Sequence, residues 1–185
     1  RNRVTAPIAS AMARAACLPR NAMADVRPFR AVRYDAARVG DLLNVVSPPY
    51  DVIDDAMQAA LYAQSPYNFV RVDFGVDAPG DDEATNKYSR AAESYAAWKR
   101  DGVLFRDDAP GFYVYEQTFD VAPGRSVTRR GFLGTVRLAA YSERVILPHE
   151  RTLSGPKEDR MRLMVATEAQ LSQLFLLYDD PAGAV

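Results

Sequence analysis

Gly111-Phe-Tyr-Val-Tyr-Glu-Gln-Thr-Phe119 and Thr128-Arg-Arg-Gly-Phe-Leu-Gly-Thr-Val-Arg-Leu138 are two strand-like runs, and Pro123-Gly124-Arg-Ser126 lies between them. Aromatic and β-branched side chains suit a pleated, half-buried surface. Pro-Gly chemistry between two such runs predicts an antiparallel hairpin. Just upstream, Tyr88, Ala91, Ala92, Tyr95 and Trp98 recur at three- and four-residue spacing, which marks one face of a helix. Asp101-Gly102 closes that helix, because glycine can take the left-handed conformation that follows a last turn. The aromatic stripe reads as packing rather than as a cofactor site. A helix running into an antiparallel pair sets the expected fold class: α/β (α+β), a mixed sheet with an antiparallel hairpin and interleaved helices.

Working upstream, Val45-Val46-Ser-Pro-Pro-Tyr-Asp51 reads as a short strand ending in a stiff Pro-Pro turn, since proline fixes φ and lacks the amide donor. Asp54 or Asp55 caps a following helix with Ala56, Met57, Ala60 and Leu61 on one face, stopped before Pro66. Asn68-Phe-Val-Arg-Val-Asp-Phe74 alternates apolar and polar residues and is expected to be a half-buried strand. Asp77-Ala-Pro-Gly-Asp-Asp-Glu83 is an acidic linker. Downstream, Pro156 suits the first turn of a helix capped by Ser154 or Gly155. Met161, Met164, Val165 and Ala169 are its expected buried face. Leu174-Phe-Leu-Leu-Tyr178 resembles a buried strand, which normally has neighbours on both faces. On that ground the chain is expected to be truncated at its C-terminus.

The bulk numbers exclude several classes. A 48% hydrophobic and 25% charged chain of 185 residues can build an ordinary core. A net charge of −1 gives no long-range attraction to nucleic acid or anionic membrane, so neither is an expected partner. No apolar run approaches the roughly 20 residues that span a bilayer. One cysteine, Cys17, cannot form an internal disulfide, and this fits a cytoplasmic protein. Residues 1–22 are Ala- and Arg-rich without acids. They are expected to be a disordered leader, upstream or expression-derived segment, with 23–185 forming the N-terminal portion of a domain and Met23 as its natural start.

The only histidine lies in the densest polar stretch, Leu147-Pro-His-Glu-Arg-Thr-Leu-Ser-Gly-Pro-Lys-Glu-Asp-Arg160. No glycine-rich phosphate loop, dinucleotide fingerprint, paired-histidine metal helix or serine elbow is present, and no metal site is expected. A carboxylate beside cations remains. Glu150, next to His149, can serve as a general base. Arg151, Thr152, Lys157 and Arg160 can hold phosphate or carboxylate, arginine through a bidentate fork. Amides at the helix start around Gly155–Glu158 add an anion site. Such parts suit phosphoryl transfer, where positioning and charge stabilisation dominate. The plainer alternative is a Glu158–Arg162 pair on a solvated helix face, with Glu150 paired to Arg151 or Arg160. A second cluster, Ser47-Pro-Pro-Tyr50-Asp51, holds a hydroxyl, a phenol and a carboxylate in a stiff turn. Its alternative is a packed turn in which Tyr50 is buried and Asp51 caps.

Taken in order, Val26-Arg-Pro-Phe-Arg-Ala31, Val46-Ser-Pro-Pro-Tyr-Asp-Val52, Pro66-Tyr-Asn-Phe-Val70, Tyr113-Val-Tyr-Glu-Gln117, Arg130-Gly-Phe132, Leu147-Pro-His-Glu-Arg-Thr152, Pro156-Lys-Glu-Asp-Arg160 and Leu174-Phe-Leu-Leu-Tyr178 resemble the family known as domain of unknown function 1015. The resemblance runs from about Val26 onward. Members continue to a D-G-H-H-R-type motif that this sequence does not contain, and some are ParB-like. That motif is similar to one in ParB-like free-serine kinases, which also carry an L-P-H-E segment followed by a helix. The resemblance implies Glu150 as the base that deprotonates a substrate hydroxyl, with ATP or ADP and magnesium as cofactor. A small-molecule ligand, possible phosphorylation of free serine, and inactivity of this portion alone are the corresponding expectations. A non-catalytic nucleotide-binding or regulatory module is the alternative.

Overall fold

The computed structural model describes residues 23–148 and 154–179. In chain order the elements begin with β1 (Val26–Arg27), β2 (Val32–Tyr34), α1 (Ala36–Val39), α2 (Asp55–Gln64) and α3 (Val70–Asp73). They continue with α4 (Lys87–Arg100), β3 (Leu104–Arg106), β4 (Tyr113–Ala122), β5 (Arg125–Leu133), β6 (Thr135–Val136) and α5 (Ser154–Thr167). The fold is mixed α/β, with its strands in three two-stranded antiparallel sheets, β1–β6, β2–β3 and β4–β5. Among the described residues no helix is long and apolar enough to cross a membrane. The chain divides into two compact units, Arg1–Phe29 with Phe112–Arg151, and Arg30–Gly111 with Thr152–Val185.

The first unit is built on the expected hairpin. β4 and β5 pair from Tyr113↔Leu133 to Ala122↔Arg125, with a register irregularity between Asp120 and Ala122. Gly124 sits at φ 73°, the left-handed value that the second turn position demands and that glycine takes without strain. Cross-strand neighbours match chemically. Arg130 pairs with Glu116 at 2.6 Å, the Thr118 and Thr128 hydroxyls lie 2.8 Å apart, and Ser126 donates to Asp120. Such pairs are the unit of sheet stabilisation. Tyr113 packs its ring 5.1 Å from Phe29 and donates its hydroxyl to the Phe29 carbonyl.

The second unit holds the core of Val72, Ala91, Tyr95, Trp98, Val103, Leu104 and Leu163. α4 forms where the spacing placed it. Asn86 accepts from the Tyr88 and Ser89 amides while the Ser89 hydroxyl accepts from the Asn86 amide, a reciprocal cap. Gly102 at φ 73° follows its last turn. The buried face is Ala91, Tyr95 and Trp98, and Trp98 lies 6.1 Å from both Tyr34 and Tyr67. α2 is capped by Asp54, which accepts from the Met57 amide, and ends at Gln64 before Pro66. Its supposed inner face differs: Ala56, Met57 and Ala60 are exposed and only Leu61 is half-buried.

Three strands expected from the sequence are not strands. Residues 68–74 turn helically instead, with the Val72 and Asp73 amides donating to the Phe69 carbonyl. Asn68 explains this. Fully buried, it accepts from the Val70 amide and donates to the Asn44 and Val46 carbonyls, each at 3.0 Å. With the Val46 carbonyl taken by Asn68 and the Val45 carbonyl accepting from the Phe69 amide at 2.7 Å, neither is left for a ladder, and the segment follows a 3-10 turn (Leu42–Asn44) instead. Leu174–Tyr178 belongs to none of the three sheets, and its side chains are 45% to 87% exposed.

Candidate functional site

Within the second unit a groove of about 430 Å³ runs along α5. On one side stands Tyr50. Pro49, held at φ −54°, delivers the chain into a 3-10 turn, Tyr50–Val52, closed by Val52 and Ile53 amides donating to the Pro49 and Tyr50 carbonyls. The Tyr50 ring sits 6.4 Å from that of Phe74. On the other side the first turns of α5 supply Pro156, Lys157, Arg160, Met161 and Met164. Gln170, Leu171 and Ser172 line it as well.

Arg160 joins these walls. Its guanidinium carbon is 4.1 Å from the centre of the Tyr50 ring, a cation–π distance. Nη1 donates to the Asp73 carbonyl at 2.9 Å and to Asp73 Oδ1 at 3.0 Å, while Nε and Nη2 both donate to Asp159 Oδ2. Four of its five N–H donors are thereby engaged. Asp73, only 7% exposed, also accepts from the Ser172 hydroxyl. Burial pushes its carboxyl above the ordinary value, and the charge of Arg160 recovers only part of that rise. Burial acts the same way on Asp159, but hydrogen bonds from Arg160 and Tyr88 and the charges of Arg160 and Lys87 outweigh it. Its carboxyl therefore lies below the ordinary value. The Tyr88 hydroxyl donates to Asp159 at 2.8 Å, and burial together with that carboxylate pushes it up to about 12.

Of the residues singled out from the sequence, Tyr50, Lys157 and Arg160 meet at one groove. Ser47 and Asp51 sit on the same turn segment but do not line it. His149, Glu150, Arg151 and Thr152 lie outside the described residues, as do residues 1–22, expected to be a leader, upstream or expression-derived segment. Lys157 lines the groove, is exposed and makes no ion pair among the described residues. Glu158 and Arg162 make no ion pair with each other. Arg162 stacks instead on Tyr88 at 4.5 Å. Among the described residues no cluster of three His, Cys, Asp or Glu could hold a metal ion.

The face of α5 also departs from the hydrophobic pattern. Leu163 and Thr167 are buried, whereas Met161 is 55% and Val165 69% exposed. Arg160, Leu163 and Thr167 form the inward stripe at i, i+3 and i+7. Its polar members are satisfied, Thr167 by donating to the Leu163 carbonyl at 2.8 Å. A stripe carried by paired polar groups leaves little trace in hydrophobic periodicity. Asp73 was missed for a related reason. The available signal was an acid embedded in the apolar run Phe69–Phe74, which needs a cation when it is buried.

The family model described as protein of unknown function (DUF1015) matches residues 26–185, and the chain belongs to this family. Neither a curated protein nor a solved structure matches it.

Proposed function

We propose that the chain contributes the phosphate-binding groove and the general base of a nucleotide-dependent kinase acting on a small hydroxylated metabolite, with free serine as the first substrate to test. The supporting observation is convergence. Two motifs about a hundred positions apart, one carrying Tyr50 and the other Lys157, line a groove whose volume suits a small ligand. Lys157 and the first-turn amides of the 14-residue helix α5 would hold phosphate oxygens, as helix starts do. Glu150 is the general base that this reading requires: it would take the proton of the acceptor hydroxyl as the hydroxyl oxygen attacks the terminal phosphorus and the nucleotide leaves one phosphate shorter, ADP from ATP or AMP from ADP. Magnesium with ATP or ADP is the cofactor this chemistry uses, and a cytoplasmic setting supplies it. The Leu147-Pro-His-Glu150 string is similar to the L-P-H-E segment of ParB-like free-serine kinases, and this likeness of one short motif is what brings a kinase into the reading.

A second reading has its own support. Arg160 is committed to Asp73 and Asp159, so Lys157 is the only groove cation among the described residues without a carboxylate partner. That suits a non-catalytic nucleotide-binding or regulatory module. Calorimetric titration of the intact protein with ATP and ADP, with magnesium, tests both, and no binding to either nucleotide refutes both. With binding in hand, Glu150→Gln separates them. A kinase loses turnover by roughly 10²-fold and keeps its affinity, whereas a binding module shows no turnover to lose.

A further inference from the structure

Arg160 has the composition of a phosphate ligand but not the geometry of one. Its fork is spent on Asp159 and on both the side chain and the carbonyl of Asp73, and the face of its plane rests on Tyr50. Turning the fork toward a ligand would leave the Asp73 carboxylate buried without a cation, which a folded protein strongly resists. The contacts that Arg160 does make tie together three separate stretches: the 3-10 turn of Tyr50, the end of α3, and the first half of α5. Lys157 lies three positions earlier on the same helix side. Whatever fixes Arg160 therefore fixes where the backbone that carries Lys157 sits beside the groove.

We propose that Arg160 is a positioning residue: it holds the Tyr50 turn and the α5 start in register, so that Lys157 meets the phosphate of the ligand while Arg160 never touches it. This rests on the nucleotide reading above. Arginine is required because a planar fork spans two carboxylates and stacks on a ring at once, and an ammonium cannot do both.

The test titrates the intact protein with magnesium–ATP at several ionic strengths, using Arg160→Lys, Arg160→Ala and Lys157→Ala. Arg160→Lys keeps a cation opposite Asp73 and serves if the alanine variant does not fold. A positioning role predicts that both Arg160 variants lose about tenfold or more in affinity, by similar factors. Their salt dependence stays that of the wild type, whereas Lys157→Ala flattens it by removing a screened charge contact. If Arg160→Lys keeps wild-type affinity, or if Arg160→Ala flattens the salt dependence as Lys157→Ala does, the proposal is overturned. If the wild type binds no nucleotide, the functional reading fails, and amide hydrogen exchange without ligand decides the positioning claim. Arg160→Lys then speeds exchange at residues 50–53 and in the first half of α5 but not in α4, and unchanged exchange there refutes it.

Discussion

Replacing Arg160 by alanine has a consequence that pH makes legible. The buried Asp73 carboxylate loses its cation, and breaking such a pair from one side costs about 3–5 kcal/mol. Arg160 keeps a fifth of its side-chain surface in water (21%), which argues for the lower end, about 3 kcal/mol near neutral pH. In a chain of this size that lowers the Tm by about 6–12 °C. In the folded wild type, burial already raises the Asp73 carboxyl above its ordinary value with Arg160 in place. Without the guanidinium the folded value climbs further, while the unfolded value does not move. Between the two values the folded state binds more protons than the unfolded state, so stability rises as pH falls across that window. The deficit of Arg160→Ala should therefore be largest near about pH 8 and shrink toward about pH 5. Asp159 also loses the guanidinium in this variant, and burial then lifts its carboxyl from the low wild-type value, so it adds to the same trend and only the Asp73 control isolates the Asp73 share. The assay is urea denaturation of wild type, Arg160→Ala and Arg160→Ala with Asp73→Asn. The second substitution should remove the Asp73 share of that pH dependence and so flatten it. A deficit equal at both pH values, or growing with acid, refutes the account of Asp73 as a buried carboxylate that relies on Arg160.

Two further outcomes are expected. Asn68→Ala should destabilise by about 2–4 kcal/mol in urea, because it strips partners from the Asn44 and Val46 carbonyls and the Val70 amide. A cost below about 1 kcal/mol would show that another contact holds residues 44–46 in place. Tyr88→Phe should cost about 1 kcal/mol at neutral pH for the lost bond to Asp159. It should also make the alkaline fall in stability shallower. Above about pH 10 an unfolded tyrosine loses its proton first, while Tyr88 holds its own up to about 12, so stability declines across that range. Tyr34 and Tyr95, also raised by burial, keep some of the decline in the variant. An unaltered alkaline limb in thermal melts at stepped pH would contradict the Tyr88 assignment.

What could be read from the sequence was what local chemistry decides. The β4–β5 hairpin follows from Pro123-Gly124 between alternating runs, and α4 from its aromatic stripe and the Asp101-Gly102 stop. Both need no information from distant residues. Asn68–Phe74 was misread because a buried helical turn with Val70, Val72 and Asp73 inside produces nearly the alternation of a strand. The deciding influence was the Asn68 side chain reaching back more than twenty positions. The inner face of α5 failed similarly, since Arg160 is turned inward and Thr167 buried by pairing rather than by apolarity. The two polar clusters were visible separately. Their meeting at Tyr50 and Arg160 is a tertiary event, and no spacing along the chain encodes it.

The second unit is written in two pieces, Arg30–Gly111 and Thr152–Val185, with Phe112–Arg151 between them. Its key bonds therefore span long separations, 87 positions for Asp73–Arg160 and 71 for Tyr88–Asp159. Contacts of this kind reward the chain only after a long loop has closed, and they slow folding. During synthesis α4 and β3 emerge well before α5, so the Asp73 pocket must wait for the helix that completes it. The intervening segment bears little of this cost. Loop-closure entropy grows only logarithmically, about 0.6 kcal/mol per doubling of length. The hairpin region is thus the stretch of this chain where insertions and deletions should be tolerated best, while the register of α5 should be the last thing to change.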